Sequence, residues 1–136
     1  MLPAGAIMEV VRYSEPRPLA GAADWVSGWI DWRGRALPVV VLDPTLLHTG
    51  PAAARGRRYL ICAGPSGGLG ADLFALLVGE HPRLVTVDAA ALKPHPPGAA
   101  AARLPFTLLT FHFNGEATAV PDLEALEQAL GDGPVA

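Results

Sequence analysis

The sequence predicts an all-β protein, a barrel or sandwich of short strands with one short helix at its C-terminal end. Three observations carry this. Short apolar runs rich in Val, Leu, Ile and Phe recur along the chain, each bounded by Gly, Pro or Asp. An Asn114-Gly115 pair separates two of these runs. Near the end, Leu123, Leu126 and Leu130 recur at helical spacing.

In chain order, the runs predict strands over 6–13 (AIMEVVRY), 36–42 (ALPVVVL), 57–64 (RRYLICAG), 72–79 (DLFALLVG), 83–87 (RLVTV), 106–113 (FTLLTFHF) and 116–120 (EATAV). Such short strands at close spacing belong to barrels or sandwiches. Asn114-Gly115 suits the two positive φ angles of a type I′ turn and predicts a hairpin between the last two strands. In PDLEALEQALG, Asp122 is placed to cap the helix and Gly131 to stop it, so the leucine stripe is expected to pack on the barrel. Segments 48–56 and 93–105 read as loops, the second rich in Pro and Ala. No repeat at a solenoid period is present.

The chain has 136 residues, 51% hydrophobic and 17% charged, enough for one core and too apolar for disorder. A single domain over 1–136 is expected. The net charge is −3 and the ten basic residues are scattered, which leaves no electrostatic footprint for nucleic acid. Arg55, Arg57 and Arg58 form the one basic cluster and are expected in a solvated loop. The single cysteine, Cys62, rules out an internal disulfide framework and fits a reducing cytoplasm. No apolar run reaches the roughly 18 residues of a membrane span, and the N-terminus lacks the charged start of a secretory signal. A cytoplasmic protein without direct membrane insertion is expected.

Motifs that suggest catalysis have simpler explanations. GPSGG (64–68) matches the G-x-S-x-G pattern that holds a nucleophilic serine, here Ser66, on a strand-to-helix turn. The run after it reads as a buried strand, so a hairpin turn is the expectation there. The same glycines spell neither G-x-G-x-x-G nor a phosphate-cradling P-loop. His48, His81, His95 and His112 are isolated, without a second ligand at metal-binding spacing. Neither a cofactor nor a metal is implied, and no carboxylate pair stands out.

The unusual stretch is DWVSGWIDWRGRALPVVVLDP (24–44). Trp25, Trp29 and Trp32 fall at i, i+4 and i+7, but Gly28 and Gly34 interrupt and Pro38 forbids a long helix. A helical turn leading into a strand is expected. Three tryptophans within eight residues, beside Arg33 and Arg35, exceed what a small core absorbs, and Trp and Arg are enriched at binding hot spots. At least one of them is expected to touch a partner.

These residues also carry a resemblance. LPAGAIMEVVRYSEPRPLAGAADWVSGWIDWRGRALPVVVLD resembles the signature region of the CheW-like domain, the coupling protein of bacterial chemosensory arrays. There a strand ending in Glu-Val precedes a motif to which Gly28, Arg33, Gly34, Pro38 and Leu42 correspond. RRYLICAG, LFALLVGEHPRLVTVDAAALKP and FTLLTFHFNGEATAVPDLEAL extend it loosely over nearly the whole chain. The family's motif asparagine is Asp31 here, its motif aspartate is Val41 with Asp43 two places on, and its Val-Asp-Gly is VGE at 78–80. The family carries a further strand before Leu2-Pro3, so either a first strand is missing or the barrel closes without it. An edge left open in that way is expected to favour self-association. The tryptophan pattern is closer to the ChpC-like branch of type IV pilus and twitching motility systems than to the flagellar coupling protein.

The resemblance implies two small SH3-like β-barrel subdomains sharing an apolar seam. It also implies a non-catalytic adaptor that joins the regulatory domain of a CheA-type histidine kinase to the cytoplasmic tip of a methyl-accepting chemoreceptor. Glu9, Val10, Trp29, Trp32, Arg33 and Gly34 are the expected interaction residues, with Glu9 and Arg33 facing each other on adjacent strands. Two other readings remain open, an isolated SH3-like module for extended peptides and a small hydrolase using Ser66.

Overall fold

The computed structural model describes residues 1–2, 4–43, 46, 53–64, 73–80, 82, 92–94, 106–113 and 116–131. They form eight strands and one helix: β1 (Ile7–Arg12), β2 (Val26–Trp32), β3 (Arg35–Val40), β4 (Arg58–Ala63), β5 (Leu73–Val78), β6 (Leu92–Pro94), β7 (Thr107–Phe113), β8 (Glu116–Pro121) and α1 (Leu123–Gly131). Six of the strands fall on predicted runs. The stretch at 24–44 differs from expectation. Only a turn at Asp24-Trp25 precedes the strand, which begins at Val26 and takes in both Trp29 and Trp32. Lys93 and Pro94, expected in a loop, belong to β6. The predicted strand at 83–87 lies outside the described residues, as do 48–52 and 95–105 of the predicted loops.

Five strands make one sheet in the order β1-β4-β5-β3-β2, and β6-β7-β8 make a second. Neighbours are antiparallel except β3 and β5, which run parallel through Val39 opposite Ala75 and Val40 opposite Leu76. Ala63 lies opposite Leu73, so the strands flanking GPSGG are antiparallel neighbours; residues 65–70 themselves lie outside the described residues. Phe113 pairs with Glu116 and frames the two-residue Asn114-Gly115 connection, which also lies outside them.

The central strands β4 and β5 of the first sheet are buried on both faces, which is why they read as continuous apolar runs rather than alternating ones. On one face Trp32, Leu37, Val39, Tyr59, Ile61 and Leu77 form a core. On the other, Val40, Leu60, Cys62, Phe74 and Leu76 pack beneath Leu126 of α1, with Leu123 and Leu130 alongside. Asp122 accepts a 3.0 Å hydrogen bond from the Ala125 N–H and so caps the helix as its sequence predicts. A Cβ on Gly64 would fall 2.6 Å from the Glu127 side chain, so the helix sits close against the end of β4.

The edges of this sheet are drawn together. Beyond β1 the chain returns along β2: the Arg17 N–H donates to the Trp29 carbonyl at 2.8 Å, and the Trp29 N–H to the Arg17 carbonyl at 2.9 Å. Such an approach is possible because residue 28 is glycine. Its φ is +146°, and a Cβ there would lie 2.1 Å from the Arg17 carbonyl oxygen. Tyr59 adds a second tether, donating from its hydroxyl to the Ser14 carbonyl at 2.6 Å and stacking on Tyr13 at 5.5 Å.

Arg57 departs from its expected place in a solvated loop. It is 3% exposed, and its guanidinium lies 5.6 Å from the Tyr13 ring centroid. The approach of the guanidinium to an aromatic face goes some way to account for an arginine that composition alone places in water.

A candidate protein-docking site at the sheet edges

β2 and β3 join through Arg33-Gly34, with Trp32 opposite Arg35. Both turn residues have positive φ, +49° at Arg33 and +77° at Gly34, as a two-residue type I′ hairpin requires. Glycine at the second position is the usual choice. Arginine at the first is not, since Asn, Asp or Gly adopt that conformation more easily.

Alternation along β2 sends neighbouring side chains to opposite faces. Trp32 is buried in the core, while Trp29, three residues earlier, is half-buried on the outer face. Trp25, in the turn before β2, packs edge-on against Phe106 at 4.8 Å and joins the two sheets. The three tryptophans thus sit in three different environments, and the Trp29 ring is half-buried beneath the Arg17 guanidinium, 4.8 Å from its centroid.

Glu9 links the edges at the hairpin tip. Its Oε2 accepts a 2.6 Å hydrogen bond from the Trp32 indole Nε1 and lies 3.4 Å from Arg33 Nη2. The Arg33 guanidinium also lies over the Trp32 ring, 4.8 Å from its centroid. Glu9 and Arg33 therefore meet, but not on adjacent strands. β1 and β2 stand at opposite ends of the sheet order, and the side chains bridge the gap as the edges converge. The Arg33 side chain is 69% exposed and that of Glu9 37%, so the ion pair contributes only about 0–1 kcal/mol. The bond from the buried indole to a carboxylate is the stronger contact.

β1 alternates half-buried and exposed residues, and its exposed positions include Met8 and Val10, 55% and 37% exposed. Val10, Glu9, Trp32, Arg33 and Gly34 are thus brought to the two converging edges, with Trp29 on the outer face of β2. The Glu9–Trp32 bond was not legible beforehand. Nothing in a linear sequence pairs residues 9 and 32, and Arg33 in the turn hides the hairpin signal that Asn would have given.

Cys62 is fully buried, and burial pushes its thiol up to about 12. Tyr59 is likewise held above the ordinary tyrosine range, first by burial and then by Tyr13. Among the described residues no three His, Cys, Asp or Glu side chains cluster as metal ligands, and no helix is long and apolar enough to cross a membrane. Ser66, His48, His81 and His95 lie outside the described residues, as does the side chain of His112.

The chain is similar to known proteins in two ways. No curated protein matches its sequence. Among solved structures, the scaffolding protein TtCheW from Thermoanaerobacter tengcongensis is similar in fold, with a TM-score of 0.67 at 20% identity, over 92% of this chain and 77% of that one. The family model of the CheW-like domain matches residues 1–130, which span the converging edges, both sheets and almost all of the capping helix; the chain belongs to the CheW-like domain family.

Proposed function

We propose that the protein is a non-catalytic, cytoplasmic adaptor of bacterial chemosensory signalling, joining the regulatory domain of a CheA-type histidine kinase to the cytoplasmic tip of a methyl-accepting receptor. Family membership supports the adaptor role. The observation that carries the docking site is the conformation of Arg33. A side chain that the turn disfavours stands at its tip, 69% exposed, stacked on Trp32 and held by Glu9. The weak ion pair is too small a gain to account for it, whereas a guanidinium fixed in one pose suits a carboxylate or carbonyl on a partner.

In this reading Trp32 and Glu9 position Arg33, while Trp29, Val10 and Gly34 contribute contact surface. The five-stranded sheet with its converging edges corresponds to one SH3-like subdomain, and β6-β7-β8 belong to the other. The spacing of the three tryptophans favours the ChpC-like branch, and with it control of type IV pilus twitching motility.

Affinity capture from native lysate, with mass spectrometry of what copurifies, tests the proposal. A CheA-type kinase enriched over a control bait is the expected result. Binding of proline-rich peptides with no kinase recovered would replace the adaptor by a peptide-binding module.

A further inference from the structure

β2 ends the five-stranded sheet on one side, and an edge strand offers its backbone groups to any other extended chain. The segment that follows β1 lies along this edge and makes one bridge with it, through Arg17 and Trp29. The two residues exchange both backbone bonds, at 2.8 and 2.9 Å, so Arg17 turns its N–H and its carbonyl toward β2. The residues on either side of it then turn theirs the other way. Both are proline, Pro16 and Pro18, and proline has no N–H to offer. Ser14, Glu15, Arg17 and Pro18 are exposed, so the segment stands at the surface with its outer side toward solvent.

We infer that Pro16-Arg17-Pro18 is a guard built into the sheet edge. It keeps the one N–H that closes on β2 and lacks the two that would let a strand from a second copy of this chain add outside it. Such a strand would find carbonyls but no donor at either position, so the ladder stops with Arg17. A proline needed only to bend the chain would stand at one position, whereas these two flank the single residue whose amide is used. Pro16 also packs beside Gly28, where an added Cβ would lie 3.3 Å from the proline Cβ; Pro18 is exposed and isolates the effect of the missing donor. The edge strands themselves are irregular in the same sense. β1 shifts register between Ile7 and Glu9 and β2 between Val26 and Gly28, with exposed charges at Arg12 and Asp31. Bulges and edge charges both discourage strand addition. The inference does not depend on the adaptor reading, and it adds that a partner meets this edge through side chains rather than by adding a strand.

The test compares the full chain as wild type, as Pro18→Val and as the double variant Pro16→Val with Pro18→Val, by sedimentation velocity over a concentration series. Near-UV circular dichroism checks folding, and amide hydrogen exchange at Trp29 checks that the bridge to Arg17 is kept. With both N–H groups restored, the double variant is expected to self-associate about tenfold or more strongly than wild type, through a few new backbone hydrogen bonds. If it fails to fold, Pro18→Val decides, with a rise of at least about threefold expected. Folded variants that associate no more than wild type would overturn the guard. Association that appears only with loss of Trp29 protection would overturn it too, because the freed edge of β2 would then be pairing and not the outer side of the segment.

Discussion

The Trp32 indole donates a 2.6 Å hydrogen bond to Glu9 Oε2 across the gap between the two edge strands of the five-stranded sheet. One carboxylate thereby fastens the sheet edges and anchors the arginine at the hairpin tip. Glu9→Ala removes the acceptor of a buried indole N–H and is expected to cost about 1–3 kcal/mol in urea unfolding. Glu9→Gln keeps an acceptor and loses only the charge, so its cost should be smaller. Equal stability of Glu9→Ala and wild type would show that the bond does not hold the edges.

Gly28→Ala should be among the most damaging single-methyl changes in the chain. The added carbon falls 2.1 Å from a backbone oxygen that cannot swing aside, and φ of +146° is strained for alanine. A loss of at least about 2–3 kcal/mol is expected, together with release of the Arg17–Trp29 pairing. Amide hydrogen exchange at Trp29 and Arg17 would register that release directly.

Trp32→Ala should cost on the order of 3–5 kcal/mol, since it empties part of a packed core. Trp29→Ala, on the outer face, should leave the melting temperature much closer to wild type and act mainly on partner binding. Thermal melts of the two variants side by side decide this, and equal destabilisation would remove Trp29 from the docking surface.

Much of this arrangement was legible in the sequence, and the rest was hidden for physical reasons. Six strands and α1 follow from apolar runs and a leucine stripe, because local pattern and burial agree there. β2 was read with a helical start, since tryptophans at i, i+4 and i+7 imitate a helix face while glycine at 28 conceals a strand with a bulge. Composition places Arg57 in solvent because it does not reveal a guanidinium set over the Tyr13 ring. The meeting of Glu9 and Arg33 followed from family resemblance; the convergence of sheet edges that produces it is a long-range property no local pattern encodes.

Stability should decline in alkali through the buried thiol and phenol. Burial pushes the native thiol of Cys62 up from its ordinary 9.0 to about 12, and burial raises the Tyr59 phenol likewise. Above pH 9 the unfolded chain loses these protons while the native protein retains them, so unfolding is favoured progressively as pH rises through that window; below it the contribution is complete. Urea midpoints at pH 8 and pH 10.5 should therefore fall in that order for wild type, and Cys62→Ala should flatten the difference. Reaction of Cys62 with a thiol reagent should be slow in buffer and immediate in denaturant.

The most direct test of the docking account is the affinity of Arg33→Asn for a CheA-type kinase regulatory domain, measured by titration calorimetry beside its melting temperature. Asparagine suits the first position of a type I′ turn better than arginine, so the variant should melt at or above the wild-type temperature. With the guanidinium gone, affinity should fall about tenfold or more, as at other arginine hot spots. A variant equally stable and equally tight would contradict the account, because Arg33 would then be a turn residue and no part of the docking surface.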